Sequence, residues 1–479
     1  MSNFIFDIGL FNGSSYSQSI YLFLHLLGAI YFFAFGALLF QIKGLLGSKG
    51  ILPVENYLKF LNARMSKKRY YYFPTIFWWN YSDNMLLAVS ACGAILSLIL
   101  LFGGPPAILL PFLIFLHLSI LSVGQDFLSF GWEGFLLEIS YNAFFLSLTD
   151  RPNPFVWISI NLLLFRFHFE SGTSKLESRD PNWRNLTAIK FHYQSQPLPN
   201  AIAWYIHKLP LGFHKLSTLF MFFVEIVVPF FALFGTEEIR VTSFILLFGL
   251  QFFIWATGNF SYLNHMTAVL LILLIPNSYL EPILGPATPL SEPNTNLNNL
   301  LSIVGMGLIT LQVVALWNHY APTLTTQKIM RAIYHLHLAN RYGIFAVMTT
   351  TRYEIIIEGS DDQVEWKEYY FFYKPSEVTR RPRRISPYQP RIDWQAWFLP
   401  FGVFEEQDWL KNFFFCLLNG SPPVLALLRH NPFKEKPPKY IRAQTYIYEF
   451  TDFKTKRNLG AWWKREFIGP YSPVYTLRE

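Results

Sequence analysis

Glu170, Lys175, Asp180, Arg184, His192 and Tyr193 crowd into one stretch directly after an apolar run. Charge near hydrocarbon is costly, so ionisable groups gathered at a membrane boundary mark a site. If the helix through residues 154–168 continues, His168, Gly172 and Lys175 share one stripe at i, i+4 and i+7. A lysine at a dry helix end loses its proton more readily and can act as a base. Glu170 or Glu177 would instead keep it charged, as the structural cation of a salt bridge. Both readings stay open, with Lys175, His168, Glu170 and His192 as catalytic candidates. Trp183, Tyr193 and Gln196 are the binding candidates beside them.

Other residues extend the list. Glu225 lies inside an apolar run just before Pro229 and needs a partner within the bundle; Asn259, Tyr262 and His265 are the candidates. Asp393, Trp394, Trp397 and the run Arg429, His430, Asn431, Pro432 have the aromatic and arginine character of a binding surface. Asn431 before Pro432 reads equally well as a turn. No His/Cys/Asp/Glu set has metal-ligand spacing, and neither a Gly-Lys-Ser/Thr loop nor a Gly-x-Ser-x-Gly elbow occurs, so no metal is expected and no cofactor is assigned. Cys92 and Cys416 form no Cys-x-x-Cys pair, which argues against thiol exchange through the chain's own dithiol.

The elements that must position these groups are apolar. Of 479 residues, 52% are hydrophobic, 19% aromatic and 15% charged, as in a polytopic membrane protein. Nine runs suggest spans: 20–40, 85–102, 107–122, 127–148, 154–168, 216–234, 243–256, 263–276 and 301–316. The fourth carries Glu133 and Glu138, with Asp126 just before it, and is the weakest; the fifth and eighth are short. After Pro322 the pattern changes. Residues 353–358 and 364–373 read as a hairpin, 440–450 alternates as a strand, and 394–398 and 409–418 read as short helices. The expected fold is a polytopic α-helical membrane protein (1–322, with a long loop at 170–215) carrying a C-terminal β-rich (α+β) soluble domain (323–479).

Charge bears on partners and sidedness. Residues 323–479 hold 23 Lys/Arg against 16 Asp/Glu, while 1–322 hold 16 against 15. Arg380, Arg381, Arg383, Arg384 and Arg391 suggest either a patch for anionic lipid or an acidic partner, or a solvated loop. Nucleic acid is not an expected partner, because no binding module accompanies them. The basic loop between the first two runs is expected in the cytoplasm. Counting every later run as a span puts loop 170–215 there too; a fourth run that fails to cross would move it outside. Either way, four spans separate that loop from the C-terminal region, so the two share a side. The N-terminus lacks a secretory signal and the C-terminus an endoplasmic-reticulum retrieval signal, which favours a bacterial inner membrane, or the endoplasmic reticulum in a eukaryote.

Several ordered blocks carry a resemblance: residues 191–205 (Phe-His-Tyr-Gln-Ser-Gln-Pro-Leu-Pro-Asn-Ala-Ile-Ala-Trp-Tyr), 340–350, 354–359, 387–395, 428–433, 438–442, 462–466 and 469–471. Together they resemble the lipase maturation factor family over roughly residues 115–471. The resemblance implies a multispanning protein that assists folding of a secreted lipase, with its long loop and C-terminal domain lumenal, here periplasmic. Membrane lipids and a lipase client are the partners it implies. Residues 171–176 followed by Trp183 are similar to the segment of vitamin K-dependent γ-carboxylases that carries a lysine base. That similarity maps the base onto Lys175 and implies the alternative, an integral-membrane enzyme acting on a lipidic or quinone-like substrate. A buried cavity lined by Lys175, His168 and Glu225 would separate the enzyme from the folding factor.

Overall fold

The computed structural model describes residues 9–477. Among the described residues, nine helices build the helical part: α1 (Ser17–Leu39), α2 (Asp83–Leu101), α3 (Pro106–Leu121), α4 (Gly131–Leu146), α5 (Pro154–Glu177), α6 (Leu211–Phe234), α7 (Glu237–Thr257), α8 (Leu263–Leu271) and α9 (Thr295–Tyr320). Local chemistry sets their starts. Ser82 accepts from Met85 N to cap α2, and Asn153 accepts from Phe155 and Val156 N ahead of Pro154 to cap α5.

Among the described residues, five helices are long and apolar enough to span a bilayer, or six if the bent pair after Tyr262 counts as one. That pair, Leu263–Leu274 and Asn277–Leu284, turns by 104° at Pro276, so the eighth expected span is broken. Helices α3 and α4 have 16 residues each, about 24 Å of rise, less than a typical hydrocarbon core of about 30 Å. The fifth helix does not stop at His168; it runs 24 residues to Glu177, carrying Arg166, Glu170 and Lys175 on it. The sixth starts at Leu211 and contains a π-helical turn at Phe223–Val227.

The nine helices alternate between two faces. On one, Trp157 Nε1 donates to Gly9 O (3.0 Å), Gln18 Nε2 to Gly285 O (2.7 Å), and Arg151 pairs with Glu292 (2.7 Å). On the other, Gln41 Nε2 donates to Gln389 O (2.8 Å), Ser421 Oγ to Lys49 O (2.6 Å), Trp397 Nε1 to Ser195 O (2.8 Å) and Arg384 Nη2 to Ala256 O (3.0 Å). The basic loop after α1, the loop after α5 and the β-rich region therefore share a face. Helix α4, at 16 residues, is not among the helices long and apolar enough to span a bilayer.

The C-terminal strands are β1 (Arg352–Ser360), β2 (Lys367–Glu368), β3 (Tyr370–Phe371), β4 (Leu428–His430), β5 (Tyr440–Phe450) and β6 (Trp463–Pro470). They form an antiparallel sheet in the order β2-β1-β5-β6 and a two-stranded β3-β4 ladder. The expected alternating strand is present; of the expected hairpin, only Lys367–Glu368 of the second arm pairs with β1, and Tyr370–Phe371 turns instead to β4. The helices lie at Arg391–Ala396 and Asp408–Leu418, the first three residues earlier than expected. One apolar core runs through both parts, joining Leu27 and Leu110 of the bundle to Ile355, Trp394 and Phe413. The basic stretch is not one exposed patch. Lys374 pairs with Glu354 (2.6 Å), Arg391 with Glu133 (2.8 Å), and Arg384 and Arg381 lie over Trp255 and Trp462.

Candidate functional site

The ionisable cluster after the fifth run is a ladder that grips the segment Asn340–Met348. Glu138 of α4 and Arg166 of α5 pair at 2.9 Å, and Arg166 also pairs with Glu170 (3.0 Å), one turn along the same helix. Arg166 Nη2 donates to Asn340 O (2.6 Å), while Glu138 accepts from Asn340 N (2.7 Å), Asn340 Nδ2 (2.8 Å) and Tyr342 OH (2.6 Å). Next, Glu170 accepts from Tyr342 N (3.1 Å), Trp183 Nε1 donates to Phe345 O (3.1 Å), and Asp180 accepts from Met348 N (2.6 Å). The rungs are buried or part-buried and charge-assisted or directional, so the segment has one path along α5. A buried charge left without a partner costs several kcal/mol, on the order of 3–5 when one member of a pair is removed. At Phe345 the backbone is left-handed, φ 54°, a conformation that a bulky residue adopts only when its surroundings impose it.

Lys175 lies below this ladder. Its Nζ donates to Ser171 O (2.7 Å) and Glu225 (2.7 Å) and sits 5.6 Å from the centre of the Trp183 ring. Gly172 permits this pairing: a Cβ there would meet Ile226 Cγ1 at 2.6 Å and Glu225 Cβ at 3.0 Å. Glu225 itself projects from the π-turn. The structure thus corrects two expectations. The partner of Glu225 is Lys175, not Asn259, Tyr262 or His265. Lys175 is held by neither Glu170 nor Glu177, which pair with Arg166 and His319 (2.8 Å).

The remaining residues resolve into positions. Asn259 donates to Leu198 and Arg383 O (2.9 Å each) and accepts from Ile385 N (2.9 Å), clamping the β-rich region to the loop after α5. Tyr262 OH donates to Glu133 (2.7 Å), the carboxylate that also meets Arg391 and His117 (3.3 Å). His265 packs on Phe33 and Trp255. His168 Nδ1 bonds to Leu164 O within its own helix (2.9 Å). His192 stands edge-on to Phe345, with ring centres 4.9 Å apart, and stacks on Phe260; burial, then the Lys175 charge, pushes its pKa down to about 4. Tyr193 joins an apolar satellite cluster with Trp204, and Gln196 Nε2 donates to Thr257 O (2.9 Å).

The C-terminal candidates do not form one surface. Asp393 is buried and accepts from Tyr373 N (2.5 Å) and Lys374 N (2.9 Å); burial, outweighing those two bonds, raises its pKa to about 6. Trp394 packs edge-on against Trp132 of α4, 5.0 Å between centres. Arg429 pairs with Glu377, His430 lies against Tyr370, and Asn431 accepts from Phe433 N (2.9 Å), the turn reading.

Between the membrane part and the β-rich region a cleft of about 920 Å³ opens. Its walls are Trp132, Trp394, Trp397 and Phe398 on one side and the gripped segment, through Phe345 and Val347, on the other. Ser171 reaches it; Lys175, His168 and Glu225 do not line it. The residues that sequence reasoning missed are Glu133, Glu138, Arg166, Tyr342 and Arg391. The two glutamates were visible as acids inside an apolar run, the signal of a buried pair, but weighed only against a span there.

Comparison with known proteins agrees with this architecture. The family model described as Lipase maturation factor transmembrane domain matches residues 19–281, and that described as Lipase maturation factor C-terminal domain matches 338–473. The chain is 31% identical to Lipase maturation factor 1 of Bos taurus and 32% identical to that of Homo sapiens, covering 95% of this chain and 88% and 87% of theirs. It is 30% identical to Lipase maturation factor 2 of Rattus norvegicus, over 95% of this chain and 83% of that one. No solved structure matches. With both family domains matched in order, and relatives of this identity along nearly its whole length, this multispanning chain belongs to the lipase maturation factor family.

Proposed function

We propose that this protein is a membrane-embedded maturation factor for an extracytoplasmic client, a secreted lipase, working from a bacterial inner membrane. The observation that carries the reading is the ladder: the ionisable groups beside the membrane boundary hold Asn340–Met348 in place along an aromatic cleft. The enzyme alternative needs a lysine that faces a cavity and loses its proton there. Lys175 instead donates to a carboxylate and a carbonyl, away from the cleft, which supports the structural cation.

The test is a deletion strain secreting its own lipase, complemented with wild type or Lys175→Arg and assayed for lipase activity per secreted molecule. A maturation factor with a structural lysine predicts lost specific activity in the deletion and recovery by both genes. Equal specific activity with and without the gene overturns the client assignment. Sidedness adds a second test, because the face carrying the cleft is the basic one, which by charge alone belongs in the cytoplasm. Alkaline phosphatase fused after residue 477 must be active if the client is periplasmic; a silent fusion that is expressed and stable removes access to any secreted client.

A further inference from the structure

We infer that the aromatic cleft binds an extended, apolar stretch of the unfolded client chain carrying an acidic residue at one end. The inference rests on the maturation reading and names what that site takes. Three observations converge. The walls are apolar and large, and Arg341 is the one charged residue lining them; it is exposed and forms no ion pair among the described residues. A lone cation at an apolar site calls for a single carboxylate on the partner. Next, Trp132 is 3% exposed, lines the cleft, and its Nε1 has no hydrogen-bond acceptor among the described residues. A buried N–H with no acceptor is costly and fits an incoming carbonyl.

The third observation selects a peptide over a lipid. Thr349, Thr350 and Thr351 line the cleft just ahead of β1, whose ladder begins only at the Arg352–Tyr448 pair. Among the described residues, none of these three threonines makes a backbone–backbone hydrogen bond. An acyl chain cannot satisfy a row of N–H and C=O groups; a strand laid beside them can, while its alternate side chains enter the aromatic wall.

The test uses the full chain in detergent and a fluorescein-labelled nonapeptide of alternating Val and Thr with one terminal Glu, read by anisotropy. Val347 is 68% exposed on the cleft wall, so Val347→Asp leaves the fold intact and is expected to weaken binding at least about tenfold. Arg341→Glu is expected to weaken the Glu peptide about fivefold or more and to favour its Lys counterpart. A backbone N-methylated peptide is expected to bind no better than buffer. Equal affinity of wild type and both variants overturns the proposal, as does full binding of the N-methylated peptide. Displacement of the peptide by oleate at equal concentration, with oleate retained in native mass spectra, replaces the peptide with a lipid as occupant. Peptide binding that follows these rules while secreted lipase is indifferent to the gene would sink the client assignment and leave the cleft standing.

Discussion

Two buried acid–base groupings lie on α5 within a few turns of each other, and they do different work. Arg166 joins two carboxylates and, with them, Asn340 and Tyr342, residues some 170 positions further on. Lys175 joins a single carboxylate on the next long helix and a carbonyl of its own turn. The first grouping fixes a distant segment beside a cleft; the second staples α5 to the π-turn of α6. A cluster that reads as one site in sequence thus divides into two ion-pair groupings with separate partners.

Mutations at the two sites should separate them. The largest effect is expected for Arg166→Met, which leaves Glu138 and Glu170 buried without their cation; about 3–5 kcal/mol is at stake and membrane levels should collapse. Adding Glu138→Gln and Glu170→Gln should restore much of the level without restoring client activity. Recovery of both would show that the ladder serves folding alone. Lys175→Met is expected to cost less, because it leaves one carboxylate without its cation and not two; Lys175→Met with Glu225→Leu should melt closer to wild type than either single change, by detergent thermal shift. Glu225→Gln should outlast Glu225→Leu, since it keeps a hydrogen bond to Lys175. Equal melting temperatures for wild type and both Glu225 variants would refute the staple.

Smaller still is Trp183→Phe, which keeps the ring under Lys175 and removes only the bond to Phe345 O, about 1 kcal/mol. Its signature is local: faster proteolysis or hydrogen exchange at residues 343–347, with global melting little changed. A further effect concerns acid. His192 has a folded pKa near 4 against about 6.5 unfolded, so below 6.5 the unfolded chain binds more protons and stability falls as pH drops toward 4. Asp393, raised to about 6, works in the opposite sense over about 4–6, losing stability as pH rises. His192→Phe should therefore flatten the fall in melting temperature between pH 7 and 5; an unchanged slope would place the acid sensitivity elsewhere.

Much of the layout was legible in the sequence because span-length apolar runs and period-two strands are local signals. The place of the site was legible for the same reason, since Glu170, Lys175 and Asp180 announce themselves beside an apolar run. What they hold was not. Periodicity says which side of a helix is apolar, not which helix it meets, so Glu225 was matched to Asn259, Tyr262 and His265 when Gly172 brings Lys175 to it. Arg391 reads as a member of a basic stretch because its partner, Glu133, lies far away in the chain and inside a segment whose acids argue against a span.

That distance also sets an order of events at the ribosome. Glu138, Arg166 and Glu170 leave the ribosome within 32 residues of one another and can pair as soon as α4 and α5 meet. Glu133 enters the same helix but waits for Arg391, about 260 residues later, roughly 13–50 s at about 5–20 residues per second. Tyr262 and His117 are the neighbours available to it in the interval. The C-terminal region thus completes the bundle late: until Arg391 arrives, Glu133 lacks what is, among the described residues, its one cationic side chain other than His117.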